Sequence, residues 1–379
     1  MLYISMYYDV NNNFTHYCFW RIMANLLDTY INEMIGHEGT DIHLPSGCCP
    51  MVRIYGKLKK TDLPVLNAED VKDMAMNLLS EEEKKIFLKE KNIDLVYELD
   101  REEIPVNRFR TNIFFQKNGI NIVLRGIPRK IPTLKELGLP QSLEKLIHHH
   151  HGMVLVTGPS GCGKTSTLAA LIDLINKKRS AHVITIEDPI EYVFTNHNSL
   201  IIQRQVRRDV DKFATALKAC LREDPDVIMV GEMRDLETIQ LAISAAETGH
   251  LVFSSLHTNN AISTVNRIID AFPQEQQSQI RTMFSESLRG VISQQLIPAV
   301  DGKGRVPAVE VLLASSSVSN LIRENKVYQL FSTMQTGKKH GMFIMDDSLI
   351  DLVKDGIISR EDALERAIDF KSMEQILGG

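Results

Sequence analysis

The chain has no run of eighteen apolar residues, so no segment of it reads as a membrane-spanning helix. It has no CxxC pair. Its five cysteines are Cys18, Cys48, Cys49, Cys162 and Cys220, and the only close pair is adjacent. That excludes a zinc ribbon and a disulfide framework, and fits a reducing compartment. Positive charge is not in excess: 43 Lys and Arg stand against 48 Asp and Glu, a net charge of -5. A dominant nucleic-acid footprint is therefore not expected, although a local basic patch is compatible with these numbers. The first 22 residues contain no lysine and little periodicity. They lack the basic region and small-residue cleavage site of a signal peptide. They read as a disordered extension, or as sequence upstream of a start at Met23.

What is present is an ordinary globular composition. The 379 residues are 44% hydrophobic and 24% charged, enough for about two or three domains with their own cores. Residues 24–36 place Leu26, Leu27, Tyr30, Ile31 and Met34 at helical spacing. DIHL and MVRIYGKL read as a strand pair, and AEDVKDMAMNLLSEEEKKIFLKE as one or two amphipathic helices. DLVYEL, NRFRTNIFFQ and INIVLRGI are further strands, the last two joined by a KNG turn. An α+β unit with a mostly antiparallel sheet is expected over 23–126. IPRKIPTLKELGLP, with three prolines, reads as a linker (127–133) leading into a short helix. From 134 to 379 the texture changes. MVLVT, HVITI, VIMV and LVFSS are short apolar strands separated by helical segments, which predicts a parallel sheet covered on both faces. After about residue 275 the chain reads as mainly helical, with RVPAVEVLL as the one strand. The run His148–His151 reads as a surface stretch, since four adjacent histidines cannot face one ion from a regular helix.

GPSGCGKT, Gly158 to Thr165, matches G-x-x-x-x-G-K-[ST] and lies between a strand and a helix, the context a phosphate-binding loop requires. Gly158, Gly161 and Gly163 let backbone N–H groups turn inward around a phosphate. The helix N-terminus adds partial positive charge, Lys164 reaches the β/γ oxygens, and the Thr165 hydroxyl suits Mg²⁺. Pro159, Ser160, Cys162 and Ser166 complete the candidate nucleotide-binding stretch. Hydrolysis also needs carboxylates, one to orient or deprotonate water and one to help hold Mg²⁺. HVITIEDPIEYV offers Glu187, Asp188 and Glu191. DPDVIMVGEMRD ends a second strand in Glu232, in a degenerate Walker B pattern with Gly231 where an aspartate is usual. LVFSSLHT ends a third strand in His257, suited either to read a γ-phosphate or to cap the next helix. QRQVRRD holds Arg204, Arg207 and Arg208, and Arg222 and Arg267 follow. A guanidinium that neutralises transition-state charge, if supplied by a neighbouring copy, would require a ring or filament.

In this order the segments resemble the type II/IV secretion ATPase superfamily, and within it the PilT-like twitching-motility (pilus retraction) ATPases. The resemblance covers about 24–370, most of the chain. GPSGCGKT resembles the family's Walker A, and ITIEDPIEYV its Asp box, with the catalytic glutamate on Glu191. LREDPDVIMVGEMRDLETI resembles its atypical Walker B, where Gly-Glu is normal. AAETGHLVFSSLHT resembles its His box, with His257 in the histidine position. QRQVRRD is similar to the arginine stretch that acts across subunits, pointing to Arg204 and Arg208. GTDIHL, PMVRIYGKL and RFRTNIFFQ are similar to its N-terminal PAS-like domain, whose arginines fall on Arg108 and Arg110. SNLIRENK resembles the AIRNLIRE signature of retraction motors but carries Val318-Ser319 where Ile-Arg is expected, and GMFIMDDSL departs from GMQTLD. The tetracysteine zinc motif of extension and secretion relatives is missing.

The resemblance implies a PAS-like domain followed by a RecA-like P-loop ATPase domain with C-terminal helices. It implies a homohexamer using ATP and Mg²⁺, with Thr165 and Glu232 at the metal. It implies a hinge at the linker. The ring would act on an inner-membrane pilus platform protein, from the cytoplasm and bound to the membrane only through that partner. An accessory retraction ATPase or a secretion ATPase is the alternative within the superfamily. A RecA-like nucleic-acid motor and a non-hydrolysing nucleotide-binding scaffold are the alternatives outside it.

Overall fold

A computed structural model describes residues 26–99 and 106–378. The reading of residues 1–22 as an extension lies outside the described residues. The chain divides into two compact units, one ending at Arg129 and one beginning at Lys130.

In the first unit a helix over 26–36, α1, buries Leu27, Tyr30, Ile31 and Met34, a stripe at helical spacing. The strands are β1 (Asp41–Pro45), β2 (Met51–Ile54), β3 (Lys57–Lys60), β4 (Asn92–Glu98), β5 (Arg108–Gln116) and β6 (Gly119–Ile127). They form one antiparallel sheet in the order β3-β2-β1-β6-β5-β4. MVRIYGKL is not one strand. Tyr55 and Gly56 both take positive φ, 47° and 82°, and fold it into the β2–β3 hairpin. The charged stretch makes two helices, α2 (Ala68–Leu78) and α3 (Glu81–Glu90). Ser80 separates them because it caps α3, accepting from the Glu83 N–H while the Glu83 carboxylate accepts from the Ser80 N–H. Arg108 of the RFR segment donates to Glu98 on the neighbouring strand at 2.7 Å.

The second unit opens with a packed segment. Leu134 and Leu139 are buried, and a 3₁₀ helix over Gln141–His148 buries Leu143, Leu146 and Ile147. His148, His150 and His151 are exposed and His149 half-buried, just before the next strand. That strand is β7 (Gly152–Thr157), followed by α4 (Lys164–Lys178), β8 (His182–Glu187), β9 (Leu200–Gln205), α5 (Phe213–Cys220), β10 (Val227–Val230), α6 (Leu236–Glu247) and β11 (Leu251–Leu256). Then come α7 (Ala261–Asp270), α8 (Gln274–Ser287), β12 (Leu288–Pro298), β13 (Arg305–Leu313) and α9 (Ser316–Arg323). The last helices are α10 (Leu330–Thr336), α11 (Met345–Lys354), α12 (Arg360–Arg366) and α13 (Phe370–Gly378).

The seven strands lie in the order β13-β12-β7-β11-β10-β8-β9. All neighbours are parallel except β12 and β13. The helix α4 and the 134–147 segment cover one face, and α5 to α9 cover the other. With both faces buried, every residue of β7, β10 and β11 is buried, which is why these strands read as continuous apolar runs. The terminal helices α11 to α13 pack on the β12–β13 hairpin through Ile297, Ala308, Met345 and Leu349.

Two strands depart from the sequence reading. The strand β9, in the arginine stretch, forms one edge of the sheet, so Leu200 and Ile202 are exposed and its pattern is weak. The strand β12 lies in the region read as mainly helical. Its apolar period is broken by Ser293, Gln294 and Gln295, and the first two of these are buried.

Phe253, at the centre of β11, is fully buried. Phe253→Ala is expected to lower the unfolding free energy of this unit by about 3–5 kcal/mol, measured by urea denaturation. A loss below about 1 kcal/mol, the range of an exposed position, would contradict its placement.

Candidate functional site

Parallel register brings the C-terminal ends of β7, β11, β10 and β8 to one edge of the sheet. The chain leaves β7 into Gly158, whose φ of 141° and lack of a side chain are both required. A Cβ there would lie 2.2 Å from the Gln294 carbonyl oxygen. The loop closes on Gly163, left-handed at φ 89°, which caps α4 at Lys164. Successive backbone N–H groups at a helix N-terminus make an anion-binding concavity.

Lys164 folds over this loop. Its ammonium donates to the carbonyl oxygens of Gly158 and Pro159 at 2.8 and 3.0 Å. Burial holds its pKa below the usual lysine range. Nδ1 of His257 lies 3.4 Å from the Lys164 ammonium, and Nε2 of the same ring lies 3.4 Å from a Glu232 oxygen. The other Glu232 oxygen pairs with Arg234 at 2.6 Å. Lys164, His257 and Glu232 thus form one contiguous cluster. Just before Glu232, Gly231 packs closely on the end of β8, where a Cβ would lie 3.3 Å from the Ile186 carbonyl oxygen. The Thr165 hydroxyl, in the first turn of α4, is half-buried and makes no hydrogen bond among the described residues. A hydroxyl with open lone pairs beside the phosphate loop and a nearby carboxylate fit Mg²⁺, which is usually held by one or two protein ligands plus phosphate oxygens.

The acidic loop after β8 is tied down by buried polar groups. The Glu187 carboxylate accepts from Thr185 at 2.7 Å and from Gln203 at 3.2 Å, and faces the backbone N–H of Glu191. Gln203 also donates to the Tyr192 carbonyl at 2.8 Å and accepts from the Phe194 N–H at 2.9 Å. The Tyr192 hydroxyl meets Ser166 at 2.9 Å, fixing the loop that carries Glu191 against the first turn of α4. Burial pushes Glu187 up to about 7, while its hydrogen bonds oppose the shift.

Arg204 and Arg208 are not part of this cluster. Arg204, on β9, donates to Glu223 at 2.8 Å, and Arg208 makes a two-point pair with Asp209 at 3.0 and 3.1 Å. Three strands separate β9 from β7, a spacing of roughly 19 Å.

Several residues of the site are illegible in the sequence. Gln294, almost fully buried on β12, donates to the Cys162 carbonyl at 2.6 Å and accepts from the Thr167 hydroxyl at 2.9 Å. It braces the phosphate loop from 127 residues downstream of Thr167. Its neighbour Ser293 meets Thr157, the last residue of β7, at 2.7 Å. The apolar residues on either side, Val291 and Ile292 before it and Leu296 and Ile297 after it, are the one signal that could have marked a buried glutamine between them. Tyr192 and Gln203 carry no such signal.

Gln294→Leu keeps the volume but strips the Cys162 carbonyl and Thr167 hydroxyl of their partner. Affinity for ATP, measured by fluorescence titration, is expected to fall about tenfold; unchanged affinity would show that the brace is idle. Glu187 gives a pH prediction. Its folded pKa is raised, so the folded state binds its proton more tightly, and its stability cost is absent below about 4.5 and complete above about 7. The stability of wild type relative to Glu187→Gln should therefore fall across that window, by up to about 3 kcal/mol in denaturation experiments. A flat difference would contradict a buried, protonated Glu187.

Residues 22–367 match the family model described as type II/IV secretion system protein. The chain is 48% identical over 326 residues to the twitching motility protein of Neisseria gonorrhoeae, covering 86% of each chain. It is 46% identical over 329 residues to the type IV pilus retraction ATPase PilT of Pseudomonas aeruginosa, covering 86% of this chain and 94% of the relative. A crystal structure of the pilus retraction motor PilT with bound ADP superposes with a TM-score of 0.82 at 47% identity, covering 91% of this chain and 98% of that one. The ATPase DotB of Legionella pneumophila superposes with a TM-score of 0.78 at 28% identity, covering 89% of this chain and 94% of that one. A phosphate loop on a parallel sheet, with an acid–histidine cluster at the strand ends, is thus set in a sequence that matches one family almost end to end, and the chain belongs to the type II/IV secretion system protein family.

Proposed function

We infer that this chain is an ATP-hydrolysing motor that powers type IV pilus retraction. The observation that carries the reading is the Lys164–His257–Glu232 cluster over the phosphate loop, in a chain 46–48% identical to twitching-motility relatives. The first unit is read as a PAS-like domain and the second as a RecA-like ATPase domain, with the linker near 127–133 as the hinge between them.

In this reading, loop N–H groups and Lys164 hold the β- and γ-phosphates, and the Thr165 hydroxyl and Glu232 carboxylate hold Mg²⁺. An ion held there would neutralise phosphate charge. Glu191 takes a proton from the attacking water, its loop positioned through Tyr192, whose hydroxyl meets Ser166 and whose carbonyl accepts from Gln203. His257 touches Lys164 on one side and Glu232 on the other, so a change at the γ-phosphate reaches both. Arg204 and Arg208 serve the neighbouring copy in a homohexamer. Their pairs within the chain are partly or mostly exposed, and such pairs are worth only about 0–1 kcal/mol, a small cost to exchange for a phosphate across an interface. No helix among the described residues is long and apolar enough to cross a membrane. In this reading the motor acts at the inner-membrane face on a pilus platform protein, and no role is assigned to nucleic acid.

Lys164→Ala and Glu191→Gln are each expected to reduce steady-state ATP hydrolysis by about 10²-fold or more. Mass photometry with ATP is expected to show six times the monomer mass for wild type. Wild-type turnover equal to that of both variants, or a stable monomer with ATP, would leave a nucleotide-binding scaffold as the better account.

A further inference from the structure

Glu310 is a buried carboxylate that the site as described does not use. It lies near the middle of β13 and is 1% exposed. Its register partner on β12 is Ser293, whose register partner on β7 is Thr157, whose register partner on β11 is Leu256. These four residues form one row across the sheet. Gly158 of the phosphate loop and His257 follow directly from two of them, so Glu310 stands in line with the roots of both catalytic loops.

Its hydrogen bonds run to two helices. One oxygen, Oε1, accepts from the backbone N–H of Ala261 at 2.7 Å. Ala261 is the first residue of α7, immediately after the loop 257–260 that carries His257. The backbone N–H of Met345, the first residue of α11, also faces the carboxylate, and the start of α11 is held to β13 by the backbone pair of Val311 with Phe343 at 2.9 and 3.0 Å. Next to Met345, the largely buried Asp346 accepts from the N–H groups of Ile368 and Asp369 at 2.8 and 2.9 Å, where α13 begins. The His257 loop is itself rigid at this end. Asn260 accepts from the Ser263 N–H at 2.7 Å, and Thr264 meets the Thr258 hydroxyl at 2.6 Å. A carboxylate at a helix N-terminus is stabilised by the orphan N–H groups and by the helix dipole. Facing two such termini at once couples their positions, because neither can move without stripping a buried carboxyl group of a partner.

We propose that Glu310 is a positioning residue that clamps α7 to α11, so that movement of the His257 loop on nucleotide binding is passed to the terminal helices α11 to α13. The clamp lies inside one unit and needs no second copy. It rests on the reading that His257 responds to bound nucleotide. A carboxamide offers one acceptor oxygen where the carboxylate offers two, so Glu310→Gln weakens the clamp with little change of volume.

The test is hydrogen–deuterium exchange of the full-length protein, wild type and Glu310→Gln, with and without a non-hydrolysable ATP analogue. In wild type the analogue is expected to slow exchange around the phosphate loop, in the segment 257–264, and at the starts of α11 and α13. In Glu310→Gln the phosphate loop is still protected while the response of α11 and α13 is lost. Turnover number is expected to fall about five- to tenfold, the effect of one lost charge-assisted hydrogen bond, with KM for ATP within about twofold. Combining Glu310→Gln with His257→Ala should add less than about twofold to the loss from His257→Ala alone. Protection of α11 and α13 that is unchanged in Glu310→Gln would overturn the proposal. So would multiplicative loss in the double variant, or a phosphate loop protected in wild type with no response at α11. Absence of protection at the phosphate loop itself would instead overturn the reading of the nucleotide site on which the proposal rests. Should Glu310→Gln fold poorly, Asp346→Asn is expected to remove the response at α13 alone and leave that at 257–264; retention of the α13 response would contradict the relay.

Discussion

The parallel pairing of β7, β11, β10 and β8 sets the position of every group at the nucleotide edge. Thr157 pairs with Leu256, and Val230 pairs with both Ser254 and Ile186. Gly158, His257, Glu232 and the Glu187–Glu191 turn therefore leave the sheet side by side. A slip of one residue in any of these strands would turn its side chains to the other face. The slip is prevented by burial on both faces, since β10 has no exposed residue on which to re-register. Because the scaffold is mostly apolar, the polar groups buried inside it hold the geometry of the site.

Three small networks among them bear on the site. Gln294 and Ser293 hold the phosphate loop to β12. Glu187 and Gln203 hold the acidic loop to β8 and β9. Glu310 and Asp346 hold the starts of α7, α11 and α13. Each network ties a loop at one edge of the sheet to an element farther away. Burying these groups is tolerable only because each finds partners, and a buried network that is fully satisfied holds one geometry in preference to its neighbours. Hydrolysis changes charge at one edge of the sheet, and these ties are the rigid members through which that change can become movement.

Much of this was legible in the sequence, for identifiable reasons. The strand–loop–helix around GPSGCGKT, the apolar strands and the acids at their ends depend on local pattern, which a sequence displays directly. The turn at Tyr55–Gly56 was hidden because a tyrosine stands at a position of positive φ, where Asn or Asp would have announced it. The strand β12 was hidden because the residues that break its apolar period are those that brace the phosphate loop. The strand β9 was hidden because an edge strand need not be apolar on both faces. Gln294 and Glu310 were hidden because their importance lies in contacts with chain far removed in sequence. Arg204 and Arg208 were legible as a cluster, and the fold sets them on and just after β9, three strands away from β7 and the phosphate loop.

The central claim is that Lys164, His257 and Glu232 act as one unit on bound ATP. The most direct test is a double-mutant cycle on steady-state ATP hydrolysis with His257→Ala, Glu232→Gln and the combined variant, using the intact protein at saturating ATP and Mg²⁺. If the contacts between these residues are functional, the combined loss will be well short of the product of the single losses, with a coupling of about 1–3 kcal/mol. Single losses that multiply within error, or a His257→Ala enzyme as fast as wild type, would contradict the account.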